Sequence, residues 1–181
     1  MLNHKGTQRI ETERLILRRF RMEDAQAMFD NWASDDEVTK YLSWPTHGDV
    51  GISRMVLEDW INSYAKDDFY LWAIEFEGQL IGSISVVDMN NDAEKAHIGY
   101  CIGKNWWRKG LMSEGLKAVM DYLFDEVGVN RVEACHDPRN PNSGKVMLKC
   151  GMRFEGTLRQ AGRNNQGLCD ESFYGLLRCE R

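Results

Sequence analysis

Residues 103–114 combine the residue types that a loop binding an anionic ligand needs. The segment reads G-K-N-W-W-R-K-G-L-M-S-E and lies between an apolar strand pattern, which ends at Ile102, and the start of an amphipathic helix. The first N–H groups of a helix have no partner within the helix, and the helix dipole favours phosphate there. Gly110 lets the backbone approach a ligand closely, while Arg108 and Lys109 add positive charge. We therefore expect a pyrophosphate cradle; the alternative is an ordinary capped helix with Gly110 in a tight turn.

A second polar segment, D-P-R-N-P-N-S over residues 137–143, directly follows a strand pattern. The Asn140 side chain both donates and accepts hydrogen bonds, so it can clamp an amide-containing arm of a ligand. Ser143 lies at the predicted start of the next helix. Its hydroxyl either takes part in chemistry or caps that helix, as serine does at many helix starts.

These two segments resemble the GNAT superfamily of N-acetyltransferases, and within it the RimJ/RimL-type branch, which includes acetyltransferases of ribosomal-protein N-termini. The resemblance is carried by W-W-R-K-G-L-M-S-E and, about thirty residues later, by N-P-N-S-G-K-V-M-L-K-C-G-M-R-F-E-G. The opening E-T-E-R-L-I-L-R-R-F and the strand A-H-I-G-Y-C-I are similar to that branch as well, so the resemblance covers about residues 10–178. It implies acetyl-CoA as the donor and a primary amine, such as a protein N-terminus, as the acceptor. The alternatives are a small-molecule amine (a metabolite, polyamine or antibiotic) and an acyl-CoA-binding module without turnover.

The resemblance also implies which residues contact the cofactor. In the family, backbone amides of the loop hold the pyrophosphate; here Trp107 replaces Gln or Arg, and Met112 replaces Gly or Ala. The pantetheine arm runs along a strand edge that separates from the next strand, and Asn140 matches the asparagine that contacts this arm. The implied cofactor-binding residues are Tyr100, Cys101, Ile102, Trp107, Arg108, Lys109, Gly110, Leu111, Met112, Ser113, Asn140 and Ser143.

Acyl transfer to an amine needs a base for the ammonium proton, donors for the developing oxyanion and an acid for the leaving thiolate. For the base we select His97, on a predicted strand where many relatives carry a glutamate, because imidazole titrates near neutral pH. His97 would take the proton directly or through water. The alternative is that His97 is an ordinary strand histidine without a catalytic role. The alternative bases are Asp170, Glu171 and Glu94.

For the acid, many relatives use a tyrosine on the helix after the asparagine, but this chain has Met147 at that position. In the branch the N-P-x-S serine is the suggested substitute, and Ser143 matches it. Tyr100 and Tyr174 are the other candidates. We expect a backbone N–H near Tyr100 or Cys101 to stabilise the oxyanion, and the Cys101 side chain to be a buried thiol rather than a nucleophile.

The acceptor site is less well defined by the sequence. Aromatic residues in or beside the first two predicted helices either stack on a cationic amine or belong to the core. The acidic run at 34–37 either attracts an amine or caps the next turn, and we favour the cap. The aromatic residues are Trp32, Tyr41, Trp44, Trp60 and Trp72.

The elements that position these residues follow from hydrophobic periodicity. It predicts strands at 13–20, 70–76, 80–87, 96–102, 131–136, 153–160 and 169–177, helices at 22–32, 49–65, 113–127 and 143–150, and irregular segments at 34–48, 88–92, 138–141 and 162–167. Glu77-Gly78 predicts a tight hairpin turn, and the helix between two central strands predicts a local parallel crossover. We predict one α/β (α+β) domain over residues 1–181, a GNAT fold with a mixed, mainly antiparallel, twisted sheet flanked by about four helices.

The composition limits the classes of binding partner and the cellular compartment that we expect. The net charge is −5, which argues against a nucleic-acid partner. The five cysteines form no C-x-x-C pair, so we expect reduced thiols, no metal site and a cytoplasmic protein. The first twelve residues lack the apolar stretch of a signal peptide, and no segment approaches the roughly 20 apolar residues of a membrane span. The resemblance adds the expectation of a homodimer.

Overall fold

The computed structural model describes residues 2–181 and shows one mixed sheet with helices packed on both faces. The strands are β1 (Ile10–Glu11), β2 (Leu15–Arg18), β3 (Leu71–Phe76), β4 (Gln79–Asn90), β5 (Lys95–Ile102), β6 (Arg131–His136), β7 (Arg153–Asn164) and β8 (Gly167–Leu177). The helices are α1 (Ala25–Met28), α2 (Asp36–Thr39), α3 (Val50–Ser63), α4 (Leu111–Tyr122) and α5 (Pro141–Lys149). Single π-helical turns, Phe29–Ala33 and Leu123–Val127, extend α1 and α4.

The predicted mixed, mainly antiparallel sheet is confirmed. The strand order is β1-β2-β3-β4-β5-β6-β8-β7, and only β5 and β6 run parallel among the paired strands of residues 2–181. Helix α4 joins these two, because parallel neighbours need a crossover connection. The predicted hairpin turn is also correct: Glu77 and Gly78 have φ values of 50° and 75°, and a type I′ turn needs both to be positive.

Alternation along β3 assigns its side chains to two apolar clusters on opposite faces of the sheet. Trp72 and Ile74 pack in the larger cluster with α4 and α5, whereas Leu71 and Ala73 pack with α1 and α3. Adjacent strand residues point to opposite faces, so each face of the sheet is covered by its own helices. The site residues on β5 follow the same alternation.

Strands β5 and β6 separate soon after they meet. Their ladder has three pairs, the last of which is His97 with Glu133. Beyond it β5 stays paired with β4 as far as Ile102, whereas β6 follows β8 to His136. A bulge in β4 between Val86 and Asp88 lies opposite this point, and bulges increase the local twist. The result is an opening in the sheet beside the second half of β5.

Several predicted boundaries near the site differ from the structure. Residues 88–90 belong to β4 rather than to a polar loop, because this hydrophilic end still pairs with β5. Helix α4 begins at Leu111, two residues before the predicted start at Ser113, since Gly110 provides the turn. Helix α5 begins at Pro141, not at Ser143, because proline fits the first helical position, where no N–H bond is lost. Asn140 is therefore the N-cap residue, and the interpretation of Ser143 as the cap is wrong.

Other boundaries also differ from the prediction. The first predicted strand, 13–20, is the shorter β2 preceded by β1, and the irregular segment 34–48 contains α2. Strands β7 and β8 reach Asn164 and Gly167, so the expected turn-rich segment 162–167 shrinks to a turn at Asn165 and Gln166. The end of this hairpin consists of polar residues, so the alternation of apolar and polar residues does not predict its strands there.

Candidate active site

A cleft of about 520 Å³ lies at the carboxyl end of β5, between the first turns of α4 and α5. The segment 37–42 closes it on a third side. Eleven of the twelve predicted cofactor-binding residues line this cleft, and Lys109 does not. The eleven are Tyr100, Cys101, Ile102, Trp107, Arg108, Gly110, Leu111, Met112, Ser113, Asn140 and Ser143.

The first turn of α4 forms one wall of the cleft. Gly110 caps the helix with a φ of 77°, a left-handed conformation that favours glycine, and Arg108 has a φ of 63°. The chain therefore turns sharply before the helix and presents its first amides toward the cleft. Amides of this turn have no partner inside the helix, which is the geometry that binds phosphate groups.

Arg14 fastens this loop from outside the cleft. Its Nη2 lies 2.6 Å from Glu114 Oε2, and its Nη1 donates to the carbonyl of Lys109 at 3.1 Å. Thr12 Oγ1 donates to Glu114 at 2.6 Å. Burial opposes ionisation of Glu114, but the hydrogen bonds from Thr12 and Arg14 lower its pKa overall, so the carboxylate is charged. The Lys109 carbonyl thus accepts a hydrogen bond on the side of the loop that faces away from the cleft.

The two departures from the family pattern do not disturb the loop. The Met112 side chain is buried in the larger apolar cluster beneath α4. Trp107 Nε1 donates to the carbonyl of Ile102 at 2.9 Å and so closes the loop on itself. Both side chains support the backbone whose amides face the cleft.

Cations that the sequence analysis missed add to the charge of the cleft. Lys145 and Lys149 line it from α5, and Arg139 and Lys40 line it from the loops. Lys149 Nζ lies 3.3 Å from the position that a Cβ on Gly110 would occupy. Spacing by four residues puts Lys145 and Lys149 on one helix face, and this signal was available in the sequence.

Tyr100 and Ser143 meet inside the cleft. The Tyr100 hydroxyl donates to the backbone carbonyl of Ser143 at 2.9 Å and lies 3.0 Å from Ser143 Oγ. Burial raises the pKa of Tyr100 well above its ordinary range, so the phenol keeps its proton. The other candidate acid, Tyr174, is buried against His136 and Phe154.

His97 lies on the opposite face of β5 from Tyr100 and does not line the cleft. Its Nδ1 is 3.5 Å from Glu133 Oε1, and its Nε2 is 3.6 Å from Cys135 Sγ. Burial opposes ionisation of Glu133, but hydrogen bonds from Lys95 and Arg131 lower its pKa overall, so His97 faces a carboxylate. The two sets of candidate catalytic groups therefore lie on either side of the opening between β5 and β6.

Cys101 is half-buried rather than fully buried as expected, since it borders the cleft. Its Sγ lies 3.4 Å from Ser83 Oγ, and burial raises its pKa to about 11. A thiol that keeps its proton at neutral pH is a poor nucleophile.

The early aromatic residues divide between core and cleft. Trp32 and Trp72 are fully buried, and Trp44 and Trp60 pack against the smaller cluster. Tyr41 lines the cleft, with the guanidinium carbon of Arg139 5.9 Å from its ring centre. In the acidic run, Asp35 accepts a hydrogen bond from the amide of Glu37 at 2.8 Å and caps α2, which confirms the favoured interpretation.

Comparison with known proteins decides the family. A family model described as an acetyltransferase (GNAT) domain matches residues 14–153, more than half of the chain. The chain belongs to the GNAT acetyltransferase family. This N-acetyltransferase is 32% identical over 172 residues to N-acetyltransferase p20 of Bacillus licheniformis, covering 93% of this chain and 96% of that protein.

One sequence relative and one structural neighbour of this N-acetyltransferase are named for action on ribosomal proteins. The alanine N-acetyltransferase of ribosomal protein uS5 from Escherichia coli is 28% identical over 158 residues, covering 82% of this chain and 79% of that one. The structure of RimL, a ribosomal L7/L12 alpha-N-protein acetyltransferase in complex with coenzyme A, superimposes with a TM-score of 0.84 at 20% identity, covering 94% and 98% of the two chains. The latter likeness concerns the fold.

The remaining features of the enzyme concern metals and membranes. Among residues 2–181, no group of three or more histidine, cysteine or acidic side chains is arranged to hold a metal ion. In the same range, no helix has both the length and the apolar character needed to cross a membrane.

Proposed function

We propose that this N-acetyltransferase moves the acetyl group of acetyl-CoA to the α-amine of a protein N-terminus, by direct attack in a ternary complex. The observation that carries the proposal is the opening between β5 and β6, with a cationic cleft on one side and His97 on the other. Two substrates that approach from opposite faces of a sheet can meet only in such an opening.

The cleft fits coenzyme A along its length. The α4 amides and Lys149 would hold the pyrophosphate, since both present positive charge to an anion. The edge of β5 beyond His97 and the amide of Asn140 would pair with the pantetheine arm, which carries amide groups of its own. These contacts would leave the thioester beside Tyr100 and Ser143.

An ammonium acceptor must lose two protons in all, and the departing sulfur takes up one. His97 removes the first proton directly or through water and passes it to solvent, after which the amine nitrogen attacks the acetyl carbonyl carbon. The nitrogen then loses its second proton, the carbon–sulfur bond breaks, and a proton from solvent neutralises the thiolate. Ser143 donates a hydrogen bond to the departing thiolate, and its position is held by Tyr100. An amide of β5 near Tyr100 or Cys101 stabilises the oxyanion. The products are the acetylated amine and coenzyme A.

The relatives support a polypeptide acceptor. The uS5-alanine N-acetyltransferase shares most of its length with this chain, and its printed name states a protein substrate. A small amine is the second candidate acceptor. Membership of the family favours turnover over the binding module. The five free thiols are in keeping with action in the cytoplasm, and a homodimer stays a prediction for light scattering.

The test is release of coenzyme A from acetyl-CoA against two panels of acceptors. One panel holds N-terminal peptides of ribosomal proteins, and the other holds small amines such as polyamines and amino sugars. We expect turnover with peptides, and mass spectrometry should place the acetyl group on the α-amine. Turnover with small amines alone would move the function to metabolite acetylation. Binding of acetyl-CoA without turnover on either panel would contradict the proposal.

A further inference from the structure

Glu171, on β8, is a carboxylate without a cationic partner. Its side chain is half-buried, yet within residues 2–181 no lysine, arginine or histidine nitrogen forms an ion pair with it. Two acidic groups near it are neutralised, Glu133 by Lys95 and Glu155 by Arg131. A half-buried charge without a partner is costly unless a ligand supplies the opposite charge.

The backbone leaves room for this carboxylate. Strand β7 is irregular between Leu158 and Gly162, and Gly162 then pairs with Cys169. A Cβ on Gly162 would lie 2.2 Å from Glu171 Oε1 and 2.6 Å from its carboxyl carbon. The hairpin therefore accommodates Glu171 in its present position only because residue 162 has no side chain.

Glu171 also lies on the same face of the sheet as His97. Cys135 pairs with Phe173 across β6 and β8, so alternation places Glu171 on the face of Cys135, whose Sγ is 3.6 Å from His97 Nε2. Burial and the nearby Glu171 carboxylate raise the pKa of Cys135 to about 12. Cys135 is thus a neutral thiol between the two groups, and Glu171 is a carboxylate on this face that, unlike Glu133, has no ion-pair partner within residues 2–181.

We propose that Glu171 binds the ammonium form of the acceptor and holds its nitrogen beside His97. This inference rests on the proposed function and deepens it, since it assigns the residue that recognises a cationic amine. An acceptor arrives protonated at neutral pH, so a carboxylate attracts it and orients it before His97 removes the proton. The same site has little affinity for a neutral nucleophile.

The test compares two acceptors that differ in charge: a cationic N-terminal peptide, and an alkoxyamine, which is neutral at the assay pH. We expect Glu171→Gln to raise KM for the peptide roughly tenfold or more, the range for loss of a charge-assisted hydrogen bond. KM for the alkoxyamine and the Kd of acetyl-CoA should not change. Asp170→Asn is the matched control, because it removes the same charge one residue away, where the carboxylate accepts only the Gln160 amide at 2.8 Å.

Gly162→Ala provides a second variant that retains the charge. The added methyl would displace the carboxylate, so we expect the same rise in peptide KM, and little further change in the double variant. Equal loss with both acceptors, or no loss in Glu171→Gln, would overturn the role of Glu171 in an active enzyme. A wild-type enzyme that acetylates neither acceptor would instead overturn the proposed function together with this role. Thermal unfolding of each variant excludes misfolding as the cause.

Discussion

The Tyr100 hydroxyl donates to the backbone carbonyl of Ser143 at 2.9 Å, so the first turn of α5 is fastened to β5 across the cleft. The phenol proton is engaged in this bond, and burial raises the pKa of Tyr100. The hydroxyl proton of Ser143 is consequently the one available to a thiolate in the cleft. Tyr100 is a positioning residue in this arrangement.

Ser143→Ala should lower kcat by roughly tenfold to a hundredfold, because the departing thiolate loses a hydrogen bond that forms only as charge develops. The Kd of acetyl-CoA, measured by calorimetry, should change little. Tyr100→Phe should give a smaller loss, since Ser143 is still present but less well held. A wild-type kcat in Ser143→Ala would contradict this assignment.

Gly110→Ala tests the cradle at α4. Alanine at a φ of 77° costs about 1–2 kcal/mol of folding free energy, and its methyl would approach Lys149 Nζ. We expect the Kd of acetyl-CoA to rise roughly tenfold as well, since displaced amides lose charge-assisted bonds to phosphate. Gly78→Ala is the control, because Gly78 has a φ of 75° and nothing within 4 Å of its Cβ position. Equal Kd values in the two variants would rule out the cradle.

His97→Ala should reduce kcat by roughly 10²–10⁴-fold, the usual contribution of a general base. Free imidazole should restore part of this rate, which a purely structural role would not allow. Glu133→Gln should reduce kcat by a smaller factor, because it leaves the imidazole in place and removes only the carboxylate 3.5 Å from it. His4→Gln, at a histidine bonded to Tyr70 and Asn91, should leave kcat unchanged. Full activity of His97→Ala would assign the base elsewhere.

Asp137 should give the enzyme a component of acid sensitivity. Hydrogen bonds from Arg139, reinforced by Asn164, lower the pKa of Asp137 from 3.8 to about 2. A pKa that is lower in the folded state adds stability above the unfolded value, and this stability is lost as the pH falls from about 4 to about 2. Asp137→Asn should reduce the free energy of unfolding by about 1–2 kcal/mol at neutral pH and should flatten its decline over that acid interval. Urea titrations at several pH values measure both effects, and parallel curves for the two proteins would contradict the assignment.

Local signals in the sequence were enough to predict most residues that line the cleft. Gly110 and the following helical periodicity indicated a helix start, and a helix start dictates where free amides lie. Met112 looked like a departure from the pattern because the sequence does not reveal that its side chain turns into the core. The fold followed from the same periodicity, except where β7 and β8 continue through polar residues.

The proposed acceptor side could not be predicted in the same way, because its residues come together across strands. Glu171 reaches its position only through the register of β8 against β6 and through the space left by Gly162. His97 and Tyr100 are three residues apart in the sequence, yet they face opposite sides of the sheet. The spacing of residues within one segment does not predict which of its side chains will contact a residue more than seventy positions away.

The short ladder between β5 and β6 has a consequence for the lifetime of the protein. Beyond His97, the edge of β5 that faces away from β4 has no strand partner within residues 2–181. A pantetheine arm bound there would act as a removable ninth strand, and a ligand that binds only the folded state stabilises it in proportion to the logarithm of its concentration. Acetyl-CoA would then stabilise the fold that binds it, and the free energy of unfolding of this enzyme would be lowest in a cell with little acetyl-CoA.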